Sequence, residues 1–195
     1  MAALTILIIR HAEKPENDHP EWGPGLTSHG TPDPEALIIR GWQRAGSWAA
    51  LFGAHLGGPD YPQPAMIFAA NPDYAADDHP EPSQRPYETI LPLADRLARD
   101  AKLIRAFAKG QEKALAEKLV SLDGVVLVSW EHEAIVENLL PHIVRDQTLP
   151  GLPKTWDGRR FDVVLRFDRA APDAPWTFRQ LFPRLLSGDS DTPLK

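Results

Sequence analysis

Three short apolar runs dictate what this chain can become. Leu4-Thr5-Ile6-Leu7-Ile8-Ile9, Ala65-Met66-Ile67-Phe68-Ala69-Ala70 and Gly124-Val125-Val126-Leu127-Val128-Ser129 are each one strand long and uncharged. They do not alternate apolar with polar residues, so a strand built from them must be covered on both faces, as in parallel sheets flanked by helices. Helical periodicity fills the intervals. Glu35 to His55 repeats Leu37, Trp42, Ala45, Trp48, Ala49 and Phe52 on one face, and Gly57-Gly58-Pro59 stops it. Ser83 to about Leu97 follows, with Pro86 tolerated in its first turn and Pro92 expected to kink or break it. Gln111 to Leu122 and about Ala134 to Val144 read as two more helices. Phe161 to Phe167 and Trp176 to Phe182 alternate as strands about the turn-rich Asp168 to Pro175, which predicts a hairpin. The order predicts a three-layer α/β/α sandwich with a mostly parallel central sheet.

The chain's 195 residues suffice for one domain spanning 1–195 with a sizeable core. Its formal net charge of -6 argues against a broad nucleic-acid or anionic-membrane surface, so any anionic substrate must be held by a few local cations. There are no cysteines, which removes disulfides, thiolate metal sites and a cysteine nucleophile together. The first apolar run is too short to span a membrane and no small-residue cleavage site follows it, so a cytoplasmic location is the expectation. No internal repeat or low-complexity tract interrupts the pattern.

Chemistry-bearing residues fall where these elements end. The first strand runs directly into Arg10-His11, the second is followed by Arg85 near a helix start, and the third by His132. In open α/β sheets ligands bind at the carboxyl ends of the strands. Two guanidinium forks suit the non-bridging oxygens of a phosphoryl group, a neutral imidazole can attack phosphorus, and a second histidine can add a donor. Such a set needs no metal or cofactor.

These residues resemble the histidine phosphatase superfamily, which includes the phosphoglycerate mutases. The resemblance rests on Arg10-His11-Ala12, on Leu37-Ile38-Ile39-Arg40-Gly41-Trp42-Gln43-Arg44-Ala45, on Ser83-Gln84-Arg85-Pro86-Tyr87-Glu88-Thr89 and on His132, and covers Leu4 to about Leu140. It implies a phosphoglycerate mutase-like fold, His11 as the phosphorylated nucleophile, and a phosphate pocket of Arg10, Arg85 and His132. It also implies a substrate-side role for Asn17, which keeps the spacing of a family asparagine, with Lys14 standing where the family has serine. Asn17 is equally a turn residue.

The proton donor is less marked. Glu133 follows His132 where one branch of the family carries an acid, although a first-turn carboxylate also favours the helix dipole. Glu131 and Glu13 are rival acids, and Glu13 is also placed to orient an arginine. The long Asn71 to Pro82 segment, with Asp77, Asp78 and His79, reads as a lid or a solvated excursion. His19, His29, His55 and His142 read as surface or capping residues, Lys102, Arg105 and Lys109 as a solvated face, Trp42 and Trp48 as core, and Trp130 as a pocket wall.

The resulting expectation is a metal-independent phosphatase acting on a small phosphorylated substrate or a phosphoprotein through a phosphohistidine. A phosphoglycerate-type mutase and a non-catalytic phospho-ligand module on the same fold are the alternatives. A zinc helix of the His-Glu-x-x-His kind fails, because Val136 stands at the second histidine position.

Overall fold

In the computed structural model, which describes residues 3–74 and 82–195, the first apolar run is a central strand, β1 (Leu4–Arg10). It pairs in parallel with β4 (Gly124–Trp130), Leu4 opposite Gly124 and Arg10 opposite Trp130. Beyond β4 lie β2 (Met66–Ala69) and β3 (Lys102–Ile104), both parallel. On its other side β1 pairs antiparallel with β5 (Val164–Arg169), which forms the expected hairpin with β6 (Thr177–Leu181). The six strands run in the order β3-β2-β4-β1-β5-β6.

Both faces are covered, as uncharged, non-alternating strands require. Leu4, Ile6 and Ile8 point into one core with Val126, Val128, Leu115 and Ile143; Leu7 and Ile9 point into the other with Trp48, Phe52, Ile90 and Leu93. The second core lies under α1 (Ile39–Gly53) and α2 (Arg85–Arg96). The first lies under α3 (Glu112–Val120) and a helical segment made of α4 (His132–Ala134), a π-turn (Ile135–Leu139) and α5 (Leu140–Val144). The fold is thus an α/β/α sandwich with four parallel strands and an antiparallel pair at one edge.

Local differences from the sequence expectation have physical causes. Helix α1 begins at Ile39, because the residues before it are claimed by other elements: Ala36 closes a turn on Asp33, Glu88 accepts from the Leu37 N–H at 2.9 Å and the Glu13 carbonyl from the Ile38 N–H at 3.1 Å, which leaves Ile38 extended. Pro92 lies within an uninterrupted α2. The short edge strand β3 includes Lys102, read from sequence as part of a solvated face, and its side chain is exposed. Trp130 is not a pocket wall. It is fully buried under α3, where its indole N–H donates to Glu112 at 2.8 Å. The expectation about Asp77, Asp78 and His79 lies outside the described residues. No helix among the described residues is long and apolar enough to cross a membrane.

Candidate active site

The parallel register of β1 and β4 brings the two strand ends side by side. One further backbone bond, from the His11 N–H to the Trp130 carbonyl at 2.9 Å, extends the pairing past the strand and fixes His11 beside Glu131 and His132. From α2, the Thr89 hydroxyl oxygen accepts from the Ala12 N–H at 2.8 Å and donates to the Arg85 carbonyl at 2.7 Å. That one side chain ties the residue after His11 to the helix that begins at Arg85. Gly41 permits the third approach. A Cβ there would collide with the Glu13 carbonyl oxygen, so α1 packs on the loop after His11 only because position 41 has no side chain.

His11 is 4% exposed and its Nδ1 lies 2.8 Å from the Ala12 carbonyl. A carbonyl only accepts, so Nδ1 carries the proton and Nε2 keeps a free lone pair. Burial, then the positive charges of Arg10 and Arg85, hold the imidazole's pKa well below its ordinary value. His11 is therefore neutral at neutral pH, the state in which an imidazole can act as a nucleophile.

Arg10 is almost fully buried, and burial brings its pKa down to about 10 against the opposing pull of Glu131, Glu16, Glu13 and Asp157. It keeps its charge at neutral pH. Its Nη1 donates to the carbonyls of Gly158 at 2.6 Å and Arg160 at 3.3 Å, and its guanidinium carbon sits 4.0 Å from the centre of the Phe161 ring. The same ring is 6.1 Å from the His11 ring. Residues 157–161 thus orient one side of the Arg10 fork. Neither Gly158 nor Phe161 carries a sequence signal for this role, since the contacts join positions about 150 apart.

Arg85 donates through Nη2 to the Pro34 carbonyl at 3.0 Å and to Glu35 at 3.1 Å. Its Nε, the Nε of Arg10, the Nδ1 of His132 and the Ser129 hydroxyl are buried polar atoms without a hydrogen-bond partner among the described residues. Glu131 Oε1 nevertheless lies 2.6 Å from His132 Nδ1, an ion-pair contact when the ring is protonated. Gly158 flanks both His132 and Arg10: a Cβ on it would rest 3.8 Å from His132 Nε2.

The remaining candidates occupy distinct places. Glu13 is buried against Arg44, with contacts of 2.8, 3.0 and 3.1 Å, and also accepts from Arg40 at 3.2 Å. Arg44 in turn binds Asp189, and the two carboxylates together raise its pKa above the ordinary arginine range despite burial. Glu13 therefore orients arginines. Glu131 caps the helix that starts at His132, accepting from the Glu133 N–H at 3.1 Å and the Ala134 N–H at 2.9 Å; these bonds and His132 overcome burial and lower its pKa to about 2. It has no proton to give near neutral pH. Glu133 is exposed in the first turn. Lys14 pairs with Glu16 at 2.8 Å, and Asn17 sits exposed in a turn. Two aromatic rings, His19 and Trp22, stack 4.5 Å apart near Glu16 and Gly158, and line a small cavity with them and Arg159.

No protein-family model matches the chain, and no curated protein matches it in sequence. Among solved structures the chain is similar to one described as "Crystal structure of the putative phosphohistidine phosphatase SixA from Agrobacterium tumefaciens". The match covers 92% of this chain and 97% of that one, at 15% identity and a TM-score of 0.43. At this distance the likeness says nothing of chemistry.

Proposed function

We propose that the chain is a phosphatase that works through a phosphohistidine on His11. The observation that carries this reading is a buried, neutral imidazole whose Nδ1–H is taken by the Ala12 carbonyl, flanked by two arginines whose buried Nε–H groups have no partner among the described residues. Leaving such donors unpaired costs about 1–3 kcal/mol each. A phosphoryl group held at His11 would take them up.

In this reading Nε2 of His11 attacks phosphorus in line. The N–P bond forms as the P–O bond to the leaving group breaks, and the electron pair departs on that oxygen. Arg10, Arg85 and His132 hold the non-bridging oxygens as charge moves across them. Glu133 gives the leaving oxygen its proton when the group is a poor one; a good leaving group takes one from water. Water then attacks the phosphohistidine, releasing inorganic phosphate and restoring His11. Lys14 and Asn17 flank the entrance on the substrate side. The substrate is a small phosphate monoester or a phosphorylated protein side chain.

The test is phosphate release in EDTA from an aryl phosphate, phosphohistidine, sugar phosphates and phosphoglycerate, comparing wild type with His11→Ala. Release by wild type and none by the variant, with unchanged circular dichroism, is the expected result. Equal release from both proteins would overturn the mechanism. Silence from both would leave an enzyme of narrow specificity outside this panel or a phospho-ligand module, and would favour the module.

Glu133→Gln separates the acid from the rest of the machinery. It is expected to slow alkyl phosphates by about a hundredfold and to leave an aryl phosphate nearly unchanged, because only the poor leaving group needs the proton. A uniform effect on both would remove Glu133 from the proton-transfer step.

A further inference from the structure

At the end of the sheet opposite His11 a cavity of about 520 Å³ opens beside Arg145, Arg169 and Trp176. Arg169 closes β5 and pairs with Leu4 at the start of β1, whereas Arg10 ends that strand, so the two sites are separated by the full length of β1. The cavity therefore stands apart from the phosphatase reading and does not depend on it.

Its cations are poorly matched by the protein. Arg169 makes one hydrogen bond, from Nη2 to the Val120 carbonyl at 2.8 Å, and lies 4.6 Å from the centre of the Trp176 ring. Its Nε is buried without a hydrogen-bond partner among the described residues. Burial and the neighbouring charge of Arg145 both work against the Arg169 charge, and Asp173 offsets them only in part. Neither arginine has a carboxylate within salt-bridge distance among the described residues.

Arg145 is also held in an uncommon backbone state. Its φ of 52° and ψ of -120° belong to the first central position of a type II′ turn, closed by the Gln147 N–H on the Val144 carbonyl at 3.1 Å. Glycine is the ordinary occupant of that position, and a side chain there is strained. The chain thus carries a cation at strain where glycine would be relaxed, on the lip of a cavity that already holds another under-used cation. The rest of the lining supplies apolar surface from Ile143, Val144, Pro172 and Ala174, with Asp146 and Asp173 at the exposed rim.

We propose that this cavity is a binding site for a small amphipathic carboxylate, its head between Arg145 and Arg169 and its short apolar body against Ile143, Val144, Pro172 and Ala174. Two arginines call for an anion. The two rim aspartates make a monoanion preferable to a dianion such as phosphate. The apolar walls call for a chain that leaves water.

The test is calorimetric titration of the whole chain with octanoate, octanol and inorganic phosphate, repeated on Arg145→Gly and Arg169→Gln. Saturable octanoate binding is expected, with octanol and phosphate each at least about tenfold weaker, and each substitution weakening octanoate by at least about tenfold. Arg145→Gly keeps the test decisive if loss of the Val120 bond impairs folding of Arg169→Gln. Glycine relaxes the turn, so that variant is expected to melt above wild type while losing the ligand. Absence of saturable octanoate binding, octanol binding as tightly, phosphate binding as tightly, or unchanged affinity in Arg145→Gly would each overturn the assignment.

Discussion

At His11 a single backbone hydrogen bond decides which ring nitrogen is available. The Ala12 carbonyl takes Nδ1–H, and burial with two neighbouring cations keeps the ring neutral, so tautomer and charge state are set by the fold itself. The opposite environment acts on Glu88 in α2. Burial, the largest influence, raises its pKa to about 7 from the ordinary 4.5, although the Leu37 N–H and Arg85 pull it the other way. The folded form thus keeps a proton that the unfolded chain loses, and stability falls as pH rises from about 4.5 to about 7. Glu88→Gln retains the acceptor for Leu37 and cannot ionise. It is expected to gain stability relative to wild type across that window, read as the difference in urea midpoints at pH 5 and pH 8. A constant difference would mean that Glu88 ionises normally. Of the residues at this end of the sheet, Arg10, His11, Arg85 and His132 stand out in sequence because they sit where apolar runs stop or a helix starts. Phe161 and Gly158 do not, because what they touch is fixed only by the return of the chain from β4 to β5.

At the scale of elements, the packing of α1 against the loop after His11 depends on one missing methyl group. Gly41→Ala is expected to cost about 1–3 kcal/mol and to lower phosphate release with it, because α1 must retreat from the Glu13 carbonyl. Gly46, on the same helix with open space at its Cβ, is the control: Gly46→Ala is expected to stabilise by up to about 1 kcal/mol. Melting temperatures of the two variants check both signs. The strands β1, β2 and β4 are legible from sequence because two-sided burial leaves uninterrupted apolar runs. Edge strand β3 is not, since three residues with an exposed lysine carry no such signal. The start of α1 misleads for another reason. Residues 35–38 have helix-compatible spacing, but Glu88 and Glu13, distant in sequence, claim the N–H groups of Leu37 and Ile38.

For the molecule as a whole, Arg44 is the point where three parts of the chain meet. Its guanidinium, 2% exposed, joins Glu13 after β1 to Asp189 beyond β6, with Arg40 reaching both from the surface. Arg44→Met strands two buried carboxylates and is expected to cost about 3–5 kcal/mol in urea unfolding. Arg40→Met, at a more exposed position, is expected to cost less than about 1 kcal/mol. Similar losses for the two would show that the buried pair is not the anchor. The bond from His11 to Trp130 has a consequence in time. Residues 119 positions apart must find each other before His11 has a fixed neighbour, and β5 must return from still further along the chain to close the other side of β1. Sheets that depend on such distant pairings form slowly. A nascent or half-refolded chain therefore carries the same histidine as an ordinary, freely titrating side chain, and its buried, neutral state begins only when the last central strand has docked.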